Sequence, residues 1–121
     1  MSVQNYRDLI VWQKAMALTK EIYGLVKRLP KEETYALSDQ MRRAVVSIPS
    51  NIAEGHSRSS SKEFAHFLSI ARGSKSELET QLIICVELSF LQPQDCQAAM
   101  DLLNEISKMT AALTQKLRNA P

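Results

Sequence analysis

The segment from Gln40 to Gly55, with the sequence QMRRAVVSIPSNIAEG, constrains the fold more than any other part of the chain. At helical spacing its residues form two neighbouring stripes. The apolar stripe consists of Met41, Val45, Ile48 and Ile52, and the polar row beside it consists of Gln40, Arg43, Ser47, Asn51 and Glu54. Polar side chains beside a core are costly unless they find hydrogen-bond partners. The pattern therefore predicts a helix that packs through specific polar contacts, and it does not indicate a catalytic pocket.

The length and composition of the chain favour one all-α domain that spans residues 1–121. Of the 121 residues, 45% are apolar and only 3 are glycine, a composition that favours helices over strands. A chain of this length can bury a core without disulfide bonds. The formal net charge of +2 neither requires nor excludes a nucleic-acid partner.

Four amphipathic helices joined by short turns are predicted along the chain. They cover about residues 7–28, 38–54 and 61–90, and the fourth begins at residue 93. Ser38 is the predicted N-cap of the second helix, Ser60 and Glu63 have the spacing of a capping box before the third, and Pro93 opens the fourth. This order of helices predicts an antiparallel up-and-down four-helix bundle.

Two residues mark expected irregularities in the second helix. Pro49 lies inside it, removes one backbone hydrogen bond and clashes with the carbonyl of Val45. We therefore expect a helix kinked at Pro49, and two helices broken at residues 47–49 are the alternative. Gly55 is suited to the left-handed conformation that ends many helices, so the second helix is expected to stop before it.

The polar row of the second helix needs partners on a neighbouring helix. In the third helix, Glu77 flanks the apolar seam and Glu79 lies two residues further on. We predict that Arg43 pairs with Glu77, or with Glu79 as the second choice, because a buried Arg–carboxylate pair can fix the register of two helices. The predicted structural polar network comprises Gln40, Arg43, Ser47, Asn51, Glu54, Glu77 and Glu79.

The first helix carries more apolar surface than one neighbouring helix requires. Beside its core stripe, Trp12, Met16 and Tyr23 form a second apolar line about a quarter-turn away. Two interpretations stay open. The helix packs against two neighbours within its own bundle, or these three residues form an interface with another subunit.

We find no convergent set of catalytic or metal-binding side chains in the sequence. His56 and His66 lack the spacing of a metal-binding pair. Cys85 and Cys96 lack zinc or redox spacing, and we interpret them as reduced, buried thiols, with a disulfide as the alternative. We therefore expect no enzymatic activity, cofactor, metal or small-molecule substrate. No signal peptide or membrane-spanning run is visible, which favours a cytoplasmic protein without a membrane partner.

Basic residues cluster in two places that are candidates for contact with RNA phosphates. Arg58 and Lys62 lie in the turn at the N-terminus of the third helix, where anions bind readily. The first helix contributes Arg7, Lys14, Lys20, Lys27 and Arg28. The alternative is a solvated turn and an ordinary charged helix face. Because the few aromatic residues are expected to be buried, sequence-specific readout of bases is not expected.

Five segments of the chain together form a recognisable pattern. They are Asp8-Leu9, Val11-Trp12-Gln13-Lys14-Ala15, QMRRAVVSIPSNIAEG at 40–55, Phe67-Leu68 and ARGSKSELETQL at 71–82. In this order they resemble the 23S rRNA intervening-sequence protein family, a family of four-helix bundles. Lys75 departs from the family pattern, which usually has an apolar residue there. The similarity covers most of the chain in the right order, so the chain is identified as a member of this family.

The resemblance implies a four-helix bundle that assembles as a ring-like homopentamer, and it offers no catalytic residues. It also implies a distant similarity to accessory proteins of diversity-generating retroelements, which engage nucleic acid and a reverse transcriptase. The family takes its name from the genomic location of its genes, and that location does not establish RNA binding. We expect an oligomeric, non-enzymatic accessory factor that associates with RNA or DNA. The alternative is an oligomeric scaffold that binds a protein partner.

Overall fold

The computed structural model describes residues 5–120, and within that range all regular structure is helical. The four main helices are α1 (Ile10–Val26), α2 (Leu37–His56), α3 (Ser61–Glu87) and α4 (Gln97–Arg118). Short 3-10 turns at Tyr6–Asp8, Lys31–Glu33 and Pro93–Cys96 precede α1, α2 and α4. The prediction of an all-α four-helix bundle is confirmed.

Contacts between side chains show how α2 and α3 are aligned. The sulfur atoms of Met41 and Cys85 lie 3.7 Å apart near one end of the pair. Near the middle, Ser74 Oγ donates a hydrogen bond of 2.8 Å to Ser47 Oγ. From the first of these contacts to the second, residue numbers rise in α2 and fall in α3.

The same order relates α1 to α4. Lys14 Nζ lies 2.8 Å from Glu105 Oε2, and Arg28 Nη1 lies 3.2 Å from Asp95 Oδ1. These pairs show how α1 and α4, with the segments that flank them, are aligned. The up-and-down topology of the whole bundle and a kink at Pro49, which is buried inside α2, stay predictions.

The core consists of apolar side chains from all four helices. The largest fully buried ones include Leu18 and Ile22 of α1, Met41, Ile48 and Ile52 of α2, Leu68, Leu78 and Leu82 of α3, and Leu103 and Ile106 of α4. The apolar stripe predicted for α2 is fully buried along its length. Removal of these side chains from water is the main force that holds the bundle together.

Helix caps follow the sequence prediction at some positions and contradict it at others. Ser60 Oγ accepts a hydrogen bond of 3.1 Å from the Glu63 N–H, so Ser60 is the N-cap of α3 as predicted. Pro93 begins the short turn that leads into α4, also as predicted. The assignment of Ser38 as an N-cap is wrong, because α2 begins one residue earlier and the Ser38 side chain is buried inside its first turn.

The expectation for Gly55 is also wrong. α2 continues through Gly55 to His56, and no glycine has a positive φ angle in the part of the chain that the structure describes. A Cβ atom at Gly55 would lie 2.8 Å from both Phe64 Cδ1 and Phe67 Cβ. Gly55 is needed because α2 and α3 approach each other closely at this point.

The C-terminus of α3 closes through a residue that is not glycine. α3 ends at Glu87, three residues before the predicted end, and Ser89 has a φ angle of 61°. The Phe90 N–H donates to Cys85 O at 2.8 Å and the Ser89 N–H donates to Val86 O at 3.0 Å. These are the two hydrogen bonds of a Schellman motif, and Ser89 occupies its left-handed position.

α4 buries two threonines that the apolar pattern did not single out. Thr110 is fully buried, and its hydroxyl donates to Ile106 O at 2.8 Å. Thr114 is also buried, but its hydroxyl has no hydrogen-bond partner in the described part of the chain. Leu113 and Leu117, near the end of α4, are only partly buried.

Candidate nucleic-acid interface

Part of the predicted polar network forms between α2 and α3. Asn51 Nδ2 donates to Ser47 Oγ at 2.9 Å and to Ser47 O at 2.8 Å. Ser74 of α3 donates to the same Ser47 hydroxyl. These three half-buried residues, which we call the Ser47 cluster, bridge the two helices. Ser47 and Asn51 belong to the predicted polar row, and Ser74 was not predicted.

The predicted pairing of Arg43 with Glu77 or Glu79 is wrong. Arg43 Nε instead binds Asp39 Oδ2 of its own helix at 3.1 Å, and its side chain is 80% exposed. At about 100° per residue, Arg43 points roughly 40° further from the core than Ser47 does, which carries it past the contact with α3. Glu79 pairs with Lys75 at 3.6 Å, and Glu77 is exposed.

Two further members of the polar row also lie outside the helix contact. Gln40 is exposed, and Glu54 binds Arg58 Nη2 at 3.0 Å on the protein surface. Lys75, which stands at an otherwise apolar position of the α3 seam, has a side-chain exposure of only 15%, and its Nζ lies 3.6 Å from Glu79 Oε1. The polar network is therefore smaller than predicted and centres on Ser47.

Trp12 and Met16 line the outer surface where α1 meets α2, and Tyr23 lies further along α1. Trp12 is half-buried and packs edge-on against Tyr6 with ring centroids 5.3 Å apart. Met16 and Tyr23 are exposed by 38% and 41%. Trp12 and Met16 border a shallow groove of about 320 Å³ whose α2 side includes Val46. Trp12 thus packs within its own bundle, while Met16 and Tyr23 offer apolar surface to solvent.

Carboxylates neutralise part of the predicted basic surface. Lys14, Arg28 and Arg58 each form an ion pair, with Glu105, Asp95 and Glu54 respectively. Arg7, Lys20, Lys27 and Lys62 are exposed, and no carboxylate within residues 5–120 pairs with them. The structure therefore does not give α1 a continuous basic stripe.

Charge is instead divided between the two ends of the bundle. One half comprises residues 5–18, 47–73 and 105–120. The Lys14–Glu105 ion pair, the groove shared by Met16 and Pro49, and the close approach of Gly55 to Phe64 place these segments together. Its basic residues are Arg7, Lys14, Arg58, Lys62, Arg72, Lys108, Lys116 and Arg118, and its acidic residues are Asp8, Glu54, Glu63 and Glu105. We call it the basic half. In the opposite half, residues 19–46 and 74–104, acidic residues outnumber basic ones.

The turn between α2 and α3 holds a cationic and aromatic cluster in the basic half. The Arg58 guanidinium lies 5.0 Å from the centroid of the Phe67 ring, and His66 packs edge-on against the same ring. Lys62 lines a surface depression together with Arg58, His66 and Phe67. The turn is therefore held by ring contacts as well as by the Arg58–Glu54 pair, and it leaves Lys62 unpaired.

The comparisons with known proteins bear on this geometry. A model of the 23S rRNA-intervening sequence protein family matches residues 7–112. The chain belongs to this family. A crystal structure of a protein with unknown function from the S23 ribosomal protein family of Bacteroides thetaiotaomicron VPI-5482 has a similar fold, with a TM-score of 0.79 and 25% sequence identity. The match covers 86% of this chain and 97% of that chain. A comparison with curated proteins gave no match.

Sequence reasoning missed half of the cations in the basic half of this family member. Arg72, Lys108, Lys116 and Arg118 belong to it, and within residues 5–120 none of them pairs with a carboxylate. The signal was available in the sequence, since the second half of α4 contains three basic residues and no acidic residue after Glu105. It becomes meaningful only when α4 is placed beside the start of α3.

Cys85 and Cys96 are free, buried thiols. Among residues 5–120, no group of three His, Cys, Asp or Glu side chains is placed to hold a metal ion. No helix in the same range combines the length and apolarity that crossing a bilayer requires.

Proposed function

We propose that this family member is a non-enzymatic accessory protein that associates with RNA or DNA as a homo-oligomer. The observation that carries the proposal is the charge division along the bundle, which gathers eight basic and four acidic residues in one half. Clustered positive charge attracts the phosphate backbone independently of sequence. The low aromatic content of 6% fits a protein that contacts backbone rather than bases.

Oligomerisation would strengthen a weak interaction of this kind. The family resemblance implies five subunits in a ring, and a ring that places the basic halves on one rim would present them together. A formal charge of +2 per chain becomes roughly +10 for five chains, and several weak contacts on one polyanion raise the avidity. We further propose that the protein acts in the cytoplasm, where Cys85 and Cys96 would stay reduced.

Binding measured across salt concentrations tests the nucleic-acid proposal. The wild-type protein is titrated against a fluorescein-labelled structured RNA of about 40 nucleotides, and anisotropy is recorded between about 50 and about 200 mM KCl. We expect the logarithm of the binding constant to fall linearly with the logarithm of the salt concentration. An absence of binding at the lowest salt concentration contradicts the proposal.

The second candidate function is an oligomeric scaffold for a protein partner. It is favoured by apolar side chains that stay exposed near the C-terminus of α3, namely Ile83 and Ile84 in the helix and Leu88 directly after it. Exposed apolar residues in one region are typical of protein interfaces. Cross-linking after nuclease treatment separates the candidates. A scaffold still cross-links to its protein partner once nucleic acid has been removed, whereas a nucleic-acid factor does not.

A further inference from the structure

We propose that the groove between the first half of α3 and the second half of α4 binds the phosphate backbone of a nucleic acid. The inference rests on the proposed function and names its site. We call this surface the α3–α4 groove, and its cations are Lys62, Arg72, Lys75 and Arg118. None of the first-helix lysines or arginines considered in the sequence analysis belongs to it.

Two depressions form the α3–α4 groove. The outer one has a volume of about 650 Å³, and its polar lining comprises three consecutive serines at 59–61 with Lys62 and Arg118. The inner one has a volume of about 290 Å³, and its lining includes Arg72, Lys75 and Ser107. No Asp or Glu residue lines either depression. A concave surface that carries cations without carboxylates repels cationic ligands and attracts anionic ones.

The cations of the groove are largely unneutralised. Lys62, Arg72 and Arg118 are exposed, and none of them forms an ion pair within residues 5–120. Lys75, at the inner end, pairs with Glu79. By contrast, every one of Lys14, Arg28 and Arg58 already has a carboxylate partner. A phosphate therefore finds three unpaired cations in the groove without competing with a protein carboxylate.

Hydroxyl groups in the groove add hydrogen-bond donors. The side chains of Ser61, Ser76 and Ser107 line it and make no hydrogen bond within residues 5–120. Serine hydroxyls commonly donate to phosphate oxygens in nucleic-acid complexes. The groove has no aromatic lining residue on which a base could stack. Its chemistry therefore fits the sugar–phosphate backbone and gives no readout of the base sequence.

The length of the groove suits several consecutive phosphates. Along α3 it runs from Lys62 to Ser76, which at about 1.5 Å per residue is roughly 21 Å. One strand of a duplex advances about 3.4 Å per phosphate, so roughly six phosphates span this distance. Each of the three unpaired cations can neutralise one phosphate along a stretch of that length.

Neutralising the groove tests the proposal against a control with the same change in charge. The groove variant is Lys62→Gln/Arg72→Gln/Arg118→Gln. The matched control is Lys20→Gln/Lys27→Gln/Lys31→Gln. It removes three exposed, unpaired cations from the half of the bundle opposite the basic half. All six side chains are exposed, so both variants should fold, and circular dichroism checks this. The full-length proteins are titrated with labelled single-stranded RNA, single-stranded DNA and duplex RNA of about 20 nucleotides.

We expect the groove variant to bind at least about tenfold more weakly than the control at about 100 mM KCl, and its salt slope to fall by about 2 or more. The three probes then identify the form of nucleic acid whose backbone fits. If the wild type binds and both variants weaken equally, the groove is not the site while the proposed function stands. If the wild type binds none of the probes at low salt, the proposed function fails and the groove proposal fails with it.

Discussion

Cys85 and Cys96 are thiols held in their neutral form by the bundle. Burial raises the pKa of Cys85 to about 11, with a smaller contribution from the charge of a Cys96 thiolate. Burial also raises the pKa of Cys96, and Asp95 contributes in the same direction. A thiol reacts through its thiolate, so both residues should be slow to oxidise or to react with electrophiles while the protein is folded.

The raised pKa of Cys85 predicts a loss of stability in alkali. The unfolded chain releases this proton near pH 9 and the folded chain near pH 11, so the contribution of Cys85 is complete below pH 9 and is lost as the pH rises to 11. Two pKa units correspond to about 2–3 kcal/mol. Urea unfolding at both ends of this range measures the drop. Cys85→Ala is less stable at every pH because it leaves a cavity, but its drop should be smaller. An equal drop in both proteins contradicts the assignment.

Thr114 is a buried hydroxyl without a partner, and its replacement should stabilise the fold. Thr114→Val keeps the shape of the side chain and removes the desolvated hydroxyl, so we expect a gain of about 1 kcal/mol in the free energy of unfolding. Thr110→Val is the control, because the Thr110 hydroxyl already donates to Ile106 O and its loss should give no such gain. Chemical denaturation measures the free energy of unfolding of both variants. A Thr114→Val protein that is less stable than wild type contradicts this prediction.

At the scale of the helices, a polar bridge and a close backbone approach define the contact between α2 and α3. The Ser47 cluster joins them near the middle, and Gly55 brings them together near the basic end. A polar bridge fixes the register of the two helices, because a shift along the axis would leave half-buried hydroxyl and amide groups unpaired. Close backbone approach then packs Phe64 and Phe67 against α2.

Gly55→Ala should destabilise the protein although alanine is the better helix former. The new methyl group would meet Phe67 Cβ, which the backbone holds in place, so the helices must separate. We expect a loss of about 1–3 kcal/mol from this overpacking. Gly24→Ala is the matched control, since α1 has open space there, and it should stabilise by up to about 1 kcal/mol. Thermal unfolding compares the two, and a neutral Gly55→Ala contradicts the close approach.

Helix content could be predicted from the sequence, whereas helix ends and helix partners could not. Apolar residues at helical spacing identified all four helices, because that spacing is set by the core they cover. The end of α3 escaped prediction because Ser89, and not a glycine, adopts the left-handed angle. The partner of Arg43 escaped prediction because the rotation of α2 about its axis decides between Asp39 and Glu77, and periodicity fixes that rotation only coarsely.

At the scale of the whole molecule, part of the candidate site could be predicted from the sequence and part could not. Arg58 and Lys62 were singled out from the turn they occupy, and both lie in the basic half. Arg72 and Arg118 are 46 positions apart in the sequence. Only the packing of α3 against α4 places them along one groove. Surfaces built from two distant segments are therefore the part of function that a single sequence hides.

The proposed oligomer should depend on the exposed apolar residues of α1. Met16→Glu/Tyr23→Glu places two charges on this surface, and because burying an unpaired charge is costly, we expect the assembly to dissociate to single chains. Ile10→Glu is the control. Ile10 is 60% exposed and lies about a third of a turn from Met16 around α1. Light scattering gives the mass of each protein, and a double variant with the same mass as wild type places the interface elsewhere.

The separation of positive and negative charge along the bundle affects how the protein approaches a polyanion, as well as how it contacts one. α3 alone has 27 residues and is about 40 Å long, so the subunit behaves as an electric dipole aligned with its axis. In the field of a polyanion a dipole experiences a torque, and the subunit turns its positive pole forward before any surfaces touch. The subunit therefore approaches the polyanion in a preferred orientation. Because salt screens this field, raising the ionic strength should slow association even where the final complex is unchanged.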